Sequence, residues 1–192
     1  MPNEKNQSKF ESYSLDFDGS EWIDIPETSS IRPTSAKMSL SAWFNISGGS
    51  GDRTIFAIGI YGGYAVDYQF NVDTNDNLTF RVRNTSGSPY YATITGGTTL
   101  NTNQWYHACV TWDGANINLY LNGQVDATQV AATTFYYTGS ASLPGIASQR
   151  GGSSGSGHID KWVGSLSQIC YFDYALSESQ ISSLYNSGSP IN

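Results

Sequence analysis

Positive charge is in short supply in this chain. Nine Lys and Arg residues stand against sixteen Asp and Glu, a formal net charge of −7. That balance excludes a broad basic surface for a phosphate backbone, so no nucleic-acid partner is expected. Cysteine is scarce too. Cys109 and Cys170 allow at most one bridge, which excludes a disulfide-stapled scaffold. Long apolar runs are missing. The most apolar stretch, "TIFAIGIYGGYAV", is short and glycine-broken, so no membrane insertion is expected. The opening residues, "MPNEKNQSKFESY", lack the apolar centre of a secretory signal.

What is present points to strands. Aromatic residues make up 14% of the chain and charged residues 13%, a balance that goes with order rather than disorder. Tyr, Thr, Val and Ile favour strands over helices. A chain of 192 residues fits one domain with a sizeable core.

Residues 1–12 read as a polar N-terminal arm, and residues 13–192 as the folded unit. In "YSLDFDG", Tyr13, Leu15 and Phe17 share one face while Ser14, Asp16 and Asp18 share the other. That period of two predicts a half-buried strand. Ile23 and Ile25 are expected inward in the next. "KMSLSAWFNI", "RTIFAIGI", "YAVDYQFNV", "LTFRVRN" and "YYATIT" continue the series. Asn122-Gly123 between alternating segments is a strong hairpin signal. A long closing strand is expected from about Lys161 to Asp173, making roughly twelve strands at the spacing of an all-β sandwich. One helix is expected near 177–186. Ser177 and Gln180 make a capping box, Ile181, Leu184 and Tyr185 form one stripe, and Gly188 stops it.

The stretch "WYHACVTWDGANINLYLNGQV" places His107 and Cys109 just upstream of Asp113. A thiol, an imidazole and a carboxylate are the parts of a cysteine hydrolase. On one strand face, however, Cα atoms two residues apart lie roughly 6.5–7 Å apart, and parallel side chains converge poorly. The other reading is a core histidine bonded to a backbone group beside a buried thiol.

Four blocks in order carry a family resemblance. They are "YSLDFDGSEWIDIP", "MSLSAWFNI", "NQWYHACVTWDGANINLYLNGQV" and "WVGSLSQICYFDYALSESQISSLYNSG". Together they resemble a laminin G-like domain of the concanavalin A-like lectin/glucanase superfamily. The third block is similar to the W-x-H…T-W-x-G…L-Y-x-N/D-G hairpin shared with pentraxins. The resemblance implies an all-β, two-sheet antiparallel jelly-roll sandwich with one short C-terminal helix. It also implies that the bridge partner of Cys109 is replaced by Ser41, leaving both cysteines free. Many members bind calcium, and Asp16, Asp18 and Asp24 could gather oxygen ligands. Where members often carry "G-x-I-D-E/D", this chain reads "GSLSQI", with Ser167 and Gln168 at the acidic places. "DTNDN" starts like an EF-hand loop at Asp73, Asn75 and Asn77. It fails at Leu78 and Asn84, and reads as a hairpin turn.

Catalysis is not expected. Glycoside hydrolysis needs two carboxyls across a cleft, and the E-x-D-x-x-E spacing of catalytic members is absent. Sugar binding needs aromatic rings for C–H faces and polar groups for hydroxyls. Tyr61 and Tyr64 flank a double glycine, and the pairs Tyr90-Tyr91 and Tyr136-Tyr137 must each turn one ring outward. The loop "QRGGSSGSGH" brings Arg150 and His158 toward Trp162. The ligand-binding candidates are therefore Tyr61, Tyr64, Tyr90, Tyr136, Arg150 and Trp162. The expected partner is a glycan or glycoprotein, met on an extracellular or virion surface. The alternative is a structural subunit of a viral or surface assembly, without sugar binding of its own.

Overall fold

The computed structural model describes residues 14–26, 28–33, 37–60, 65–83, 91–131, 144–151 and 157–188. Residues 1–13, and with them the polar arm, lie outside these segments, as do Tyr61, Tyr64, Tyr90, Tyr136 and Tyr137. The strands are β1 Leu15–Asp18, β2 Ile23–Asp24, β3 Met38–Ile46, β4 Arg53–Ile60, β5 Ala65–Val72, β6 Asn77–Arg83 and β7 Tyr91–Thr99. They continue with β8 Trp105–Trp112, β9 Asn116–Leu121, β10 Gln124–Val130, β11 Pro144–Ile146, β12 Gln149–Gly151, β13 Gly157–Ile159 and β14 Val163–Phe172. One α-helix, α1, covers Glu178–Tyr185.

Two sheets pack face to face. One has six strands in the order β1-β14-β3-β8-β9-β10. The other has eight, with β13-β12-β4-β5-β6-β7 as its path and β11 and β2 branching from β4. All pairings are antiparallel among the described residues except a single parallel contact of β12 with β4, at Arg150 and Ile60. The chain is thus an all-β jelly-roll sandwich with one short C-terminal helix. The strand count exceeds the sequence expectation because both ends of the glycine-rich loop pair with each other as β12 and β13, Arg150 opposite His158.

Alternation builds the core. Leu40, Ala42, Phe44 and Ile46 of β3 turn inward with Tyr106, Ala108, Val110 and Trp112 of β8. From the other sheet come Tyr68, Phe70 and Val72 of β5 and Leu78, Phe80 and Val82 of β6. Phe17 is buried, and Ile23 and Ile25 pack against the core as expected. Leu15 shares the face of Phe17 but is 58% exposed, because β1 is the edge strand and Leu15 lies at the open margin of the sandwich.

Local chemistry fixes the turns. Asn122 and Gly123 both adopt positive φ, +51° and +77°, the backbone a tight hairpin needs, and Gly123 supplies it without a Cβ. Asn122 also locks this turn to β8: its side-chain oxygen accepts from His107 N at 3.0 Å, and its own N–H donates to His107 O at 2.8 Å. The turn at "DTNDN" joins β5 and β6 as a hairpin, with Asp73 Oδ1 accepting from Asn75 N and Asn77 N at 2.8 and 3.0 Å. Gly164 is demanded by packing: a Cβ there would sit 2.1 Å from Asn45 O. The capping box of α1 is formed, with Ser177 N donating to Gln180 Oε1 at 2.9 Å.

Candidate functional site

The thiol–imidazole pair lies on the outer face of the six-stranded sheet, beneath α1. Register pairs Ser41 with Cys109 and Trp43 with His107. His107 Nε2 and Ser41 Oγ share a hydrogen bond at 2.8 Å. Trp43 and Tyr185 close over the pair, their ring centroids 5.2 and 6.0 Å from that of His107. Cys109 sits in a small apolar cluster with Tyr120, Leu176 and Ile181. Burial pushes the His107 imidazole down to about 4 and the Cys109 thiol upward. A nucleophilic pair needs the reverse, a lowered thiol beside a basic imidazole. Asp113 takes no part: its Oδ1 accepts from Ala115 N and Asn116 N at 2.8 and 2.7 Å, closing a turn. Cys109 and Cys170 are both free, and Ser41 faces each of them from β3.

Trp162 is a correction. It is fully buried, edge-on to Phe44 with centroids 5.6 Å apart, so it cannot present its ring to a ligand. The chain leaves the glycine-rich loop at β13, and residue 162 already belongs to the return toward β14, where the indole enters the core. The ring that meets His158 is instead Trp22. It stacks on His158 at 4.0 Å, and Lys161 Nζ stands 4.5 Å from its ring centroid. Arg150 pairs with Asp24 at 3.1 Å, and its side chain is 18% exposed. The structure therefore places Arg150 in an ion pair at the β2 margin, away from Trp162's ring.

The three aspartates proposed for calcium do not form one site. Asp16 accepts from Ser165 Oγ across the β1–β14 pair. Asp18 Oδ1 accepts from Ser20 N and Oγ at 2.8 and 2.6 Å, and these bonds hold its carboxyl below the ordinary range. Asp24 is committed to Arg150 and His158. Among the described residues, no group of three or more His, Cys, Asp and Glu could hold a metal ion. Among the described residues, the donors do not assemble the calcium site that the resemblance implies.

A different constellation stands out on the eight-stranded sheet. Its inner face is apolar, yet the outward positions of its central strands are polar and packed. Register aligns Gln69 of β5 with Arg81 of β6 and Thr93 of β7, and aligns Asn71 with Thr79 and Thr95. Gln69 Nε2 donates to Thr54 Oγ1 at 3.0 Å, and Thr79 Oγ1 donates to Asn71 Oδ1 at 2.6 Å. Arg81 donates to Gln69 Oε1, and its guanidinium lies 5.2 Å from the centroid of Tyr91. Arg81 Nε is buried without a hydrogen-bond partner among the described residues. These side chains, with Asp52 and Asp73, line a cavity of about 190 Å³. Asp160 stands close by. Burial raises its carboxyl above the ordinary range and the charge of Asp52 adds to the rise, while Arg81 and a bond from Gln69 oppose it.

Gln69, Asn71 and Thr79 are themselves buried, and Arg81, Thr93 and Thr95 are the more open members of the lining. Amides, hydroxyls, a guanidinium and carboxylates thus meet in one cavity near an aromatic ring, the composition that reads hydroxyl groups. Sequence reasoning overlooked this face. Its signal was the polar half of the alternation in "VDYQFNV" and "LTFRVR", set aside in favour of aromatic rings in loops.

A laminin G family model, described as the concanavalin A-like lectin/glucanases superfamily, matches residues 17–182. No curated protein matches the sequence. The fold is shared with solved structures of low identity. The CBM40 module of the Ruminococcus gnavus IT-sialidase, bound to α2,3-sialyllactose, has a TM-score of 0.74 at 11% identity, covering 90% of this chain and 96% of that one. Domain 4 of AbnA, a GH43 extracellular arabinanase from Geobacillus stearothermophilus in complex with arabinotriose, has a TM-score of 0.65 at 18% identity, covering 90% and 76%. A heptameric SAP-like pentraxin from Limulus polyphemus has a TM-score of 0.64 at 17% identity, covering 90% and 81%. The first two of these neighbours are parts of enzymes and were solved with a saccharide bound. Over residues 17–182, the chain belongs to the concanavalin A-like lectin/glucanases superfamily, in the laminin G form.

Proposed function

We propose that this chain is a non-catalytic carbohydrate-binding module, and that it takes a glycan or glycoprotein on the outer face of its eight-stranded sheet. One observation carries the reading. Gln69, Asn71, Thr79 and Arg81 form an ordered polar layer around a cavity, where a merely solvated face would leave them unpaired and mobile. Such a layer is preorganised, so binding loses little side-chain entropy. The buried Arg81 Nε supplies a donor for a ligand oxygen. Solved neighbours bound to sialyllactose and arabinotriose support sugar as the ligand class. Such a module would act where its glycan is displayed, on an extracellular or virion surface.

A second reading, a structural subunit of a larger assembly, rests on β10. This strand is the edge of the six-stranded sheet and carries Val125 and Val130 at 52% and 78% exposure. An apolar edge of that kind can pair with another chain.

A glycan array on the full chain, with and without calcium, separates these readings. The module reading expects at least one glycan class to bind, with calcium making no difference and no sugar released on long incubation. Silence across the array would leave the assembly subunit as the better account. Release of sugar would overturn the non-catalytic part.

A further inference from the structure

Among the described residues, α1 covers only part of the outer face of the six-stranded sheet. Trp43, His107 and Cys109 lie under α1, but the next row of outward residues does not. That row runs straight across four strands: Asp16 of β1 opposite Ser165 of β14, Ser165 opposite Asn45 of β3, and Asn45 opposite Trp105 of β8. Together with Ser14, Ser47 and Asn103 it lines a groove of about 520 Å³. That volume lies within the range of small-ligand sites, roughly 300–1,000 Å³.

The groove owes its depth to short side chains. Three serines form its floor and flank, while the 101–104 turn rises at one end, pinned by Asn103 N donating to Ile46 O at 2.6 Å. Trp105 is half-buried and is the aromatic ring among the described lining residues. The side-chain amides of Asn45 and Asn103 make no hydrogen bond within the described chain, so both remain available to a ligand. Asp16 is anchored by Ser165 and is, among the described lining residues, the only ionisable side chain.

We propose that this groove is a second saccharide subsite, selective for neutral sugars. An indole offers a stacking surface for the C–H face of a sugar ring. Two amides and a carboxylate read hydroxyls as donor and acceptor pairs. Among the described residues no Lys, Arg or His lines the groove, so on those residues a carboxylated sugar meets Asp16 without a compensating cation. The inference does not rest on the polar face of the eight-stranded sheet, which lies across the core and includes Arg81.

The test is NMR titration of the uniformly 15N-labelled full chain with lactose, arabinotriose and 3′-sialyllactose, following indole and side-chain amide signals. The neutral sugars are expected to shift the Trp105 indole and the Asn45 and Asn103 amides, with 3′-sialyllactose at least fivefold weaker than lactose. Trp105→Ala and Asn45→Ala should each weaken the neutral sugars at these signals at least tenfold. Asp16→Asn should narrow the gap between lactose and sialyllactose. Ser183→Ala, on the exposed side of α1, should leave all of these shifts in place. If Trp105→Ala fails to fold, Asn45→Ala carries the same arm. The proposal is overturned if neither neutral sugar shifts these signals up to about 10 mM, a concentration that detects even millimolar affinity. It is also overturned if sialyllactose binds there as well as lactose does. Failure of the glycan reading of the other sheet would show instead at Gln69 and Asn71, whose amide signals are separate.

Discussion

Trp43, His107 and Cys109 on the six-stranded sheet and Gln69, Asn71 and Arg81 on the eight-stranded sheet hold equivalent positions. Each is the outward half of a strand whose inward half builds the core. On the first sheet the outward residues are large and weakly polar, and a helix docks on them through Leu176, Ile181 and Tyr185. Ser39 ties the approach to that helix, accepting from Leu176 N at 2.9 Å and donating to Tyr174 O at 2.9 Å. On the second sheet the outward residues bond to one another, and among the described residues no helix covers them. An apolar outer row needs an apolar lid to leave water, whereas a polar row can be buried when its members satisfy one another, as Gln69, Asn71 and Thr79 do. The titration directions agree. His107 is held neutral by burial alone, while Asp160 beside the polar face is raised by burial and opposed by a cation and a hydrogen bond.

Removing the lid is the strongest way to challenge this contrast. Ile181→Ala empties a fully buried site in α1 and should lower stability by about 2–4 kcal/mol, read from urea unfolding. Binding to any glycan found on the array should survive below the unfolding transition. Loss of binding in the folded variant would show that the two faces act together.

The next effect is acid sensitivity. His107 has a folded value of about 4 against 6.5 for the free side chain, so the unfolded chain takes up the proton first. Stability from this group is complete above pH 6.5 and falls as pH drops toward 4, by on the order of 3 kcal/mol in total. His107→Gln should flatten that slope in unfolding midpoints measured from pH 7 to 4.5. An unchanged slope would mean that another group under the helix carries it.

The smallest effect concerns the helix cap. Ser177→Ala removes the capping box and should lower stability by about 1 kcal/mol, visible in the thermal midpoint and absent from ligand affinity.

How far the sequence could be read follows from these same residues. The Asn122-Gly123 hairpin, the Asp73 turn and the Ser177 cap are local signals, each set by residues a few positions apart, and all three form as expected. The burial of His107 and Cys109 was legible because neighbouring strands and a striped helix were. Trp162 was misjudged because loop proximity says nothing of which way the next side chain turns, and its indole lies in the core. Trp22 was overlooked for the converse reason, since His158 reaches it only through the β12–β13 hairpin and the β2–β11 pairing. The polar face and the Trp105 groove depend on register across several strands. Bulges near Thr54 and Asn77 reset that register in ways no single strand announces. Tyr61, Tyr64, Tyr90 and Tyr136 lie outside the described residues.

The central claim is that the polar layer of β5 and β6 receives the glycan. Its most direct test follows the side-chain amide signals of Gln69 and Asn71 while an array-selected glycan is titrated into the wild-type chain and into Arg81→Lys. That substitution keeps the charge beside Asp52 and Asp160 but removes the planar guanidinium. The claim requires both amides to shift on binding in the wild type. It also requires Arg81→Lys to weaken the glycan by roughly 10–100-fold, as expected for a lost hydrogen bond to a charged donor, at temperatures where the variant is folded. Binding of the glycan with both amides silent and full affinity in Arg81→Lys would place the ligand elsewhere and contradict it.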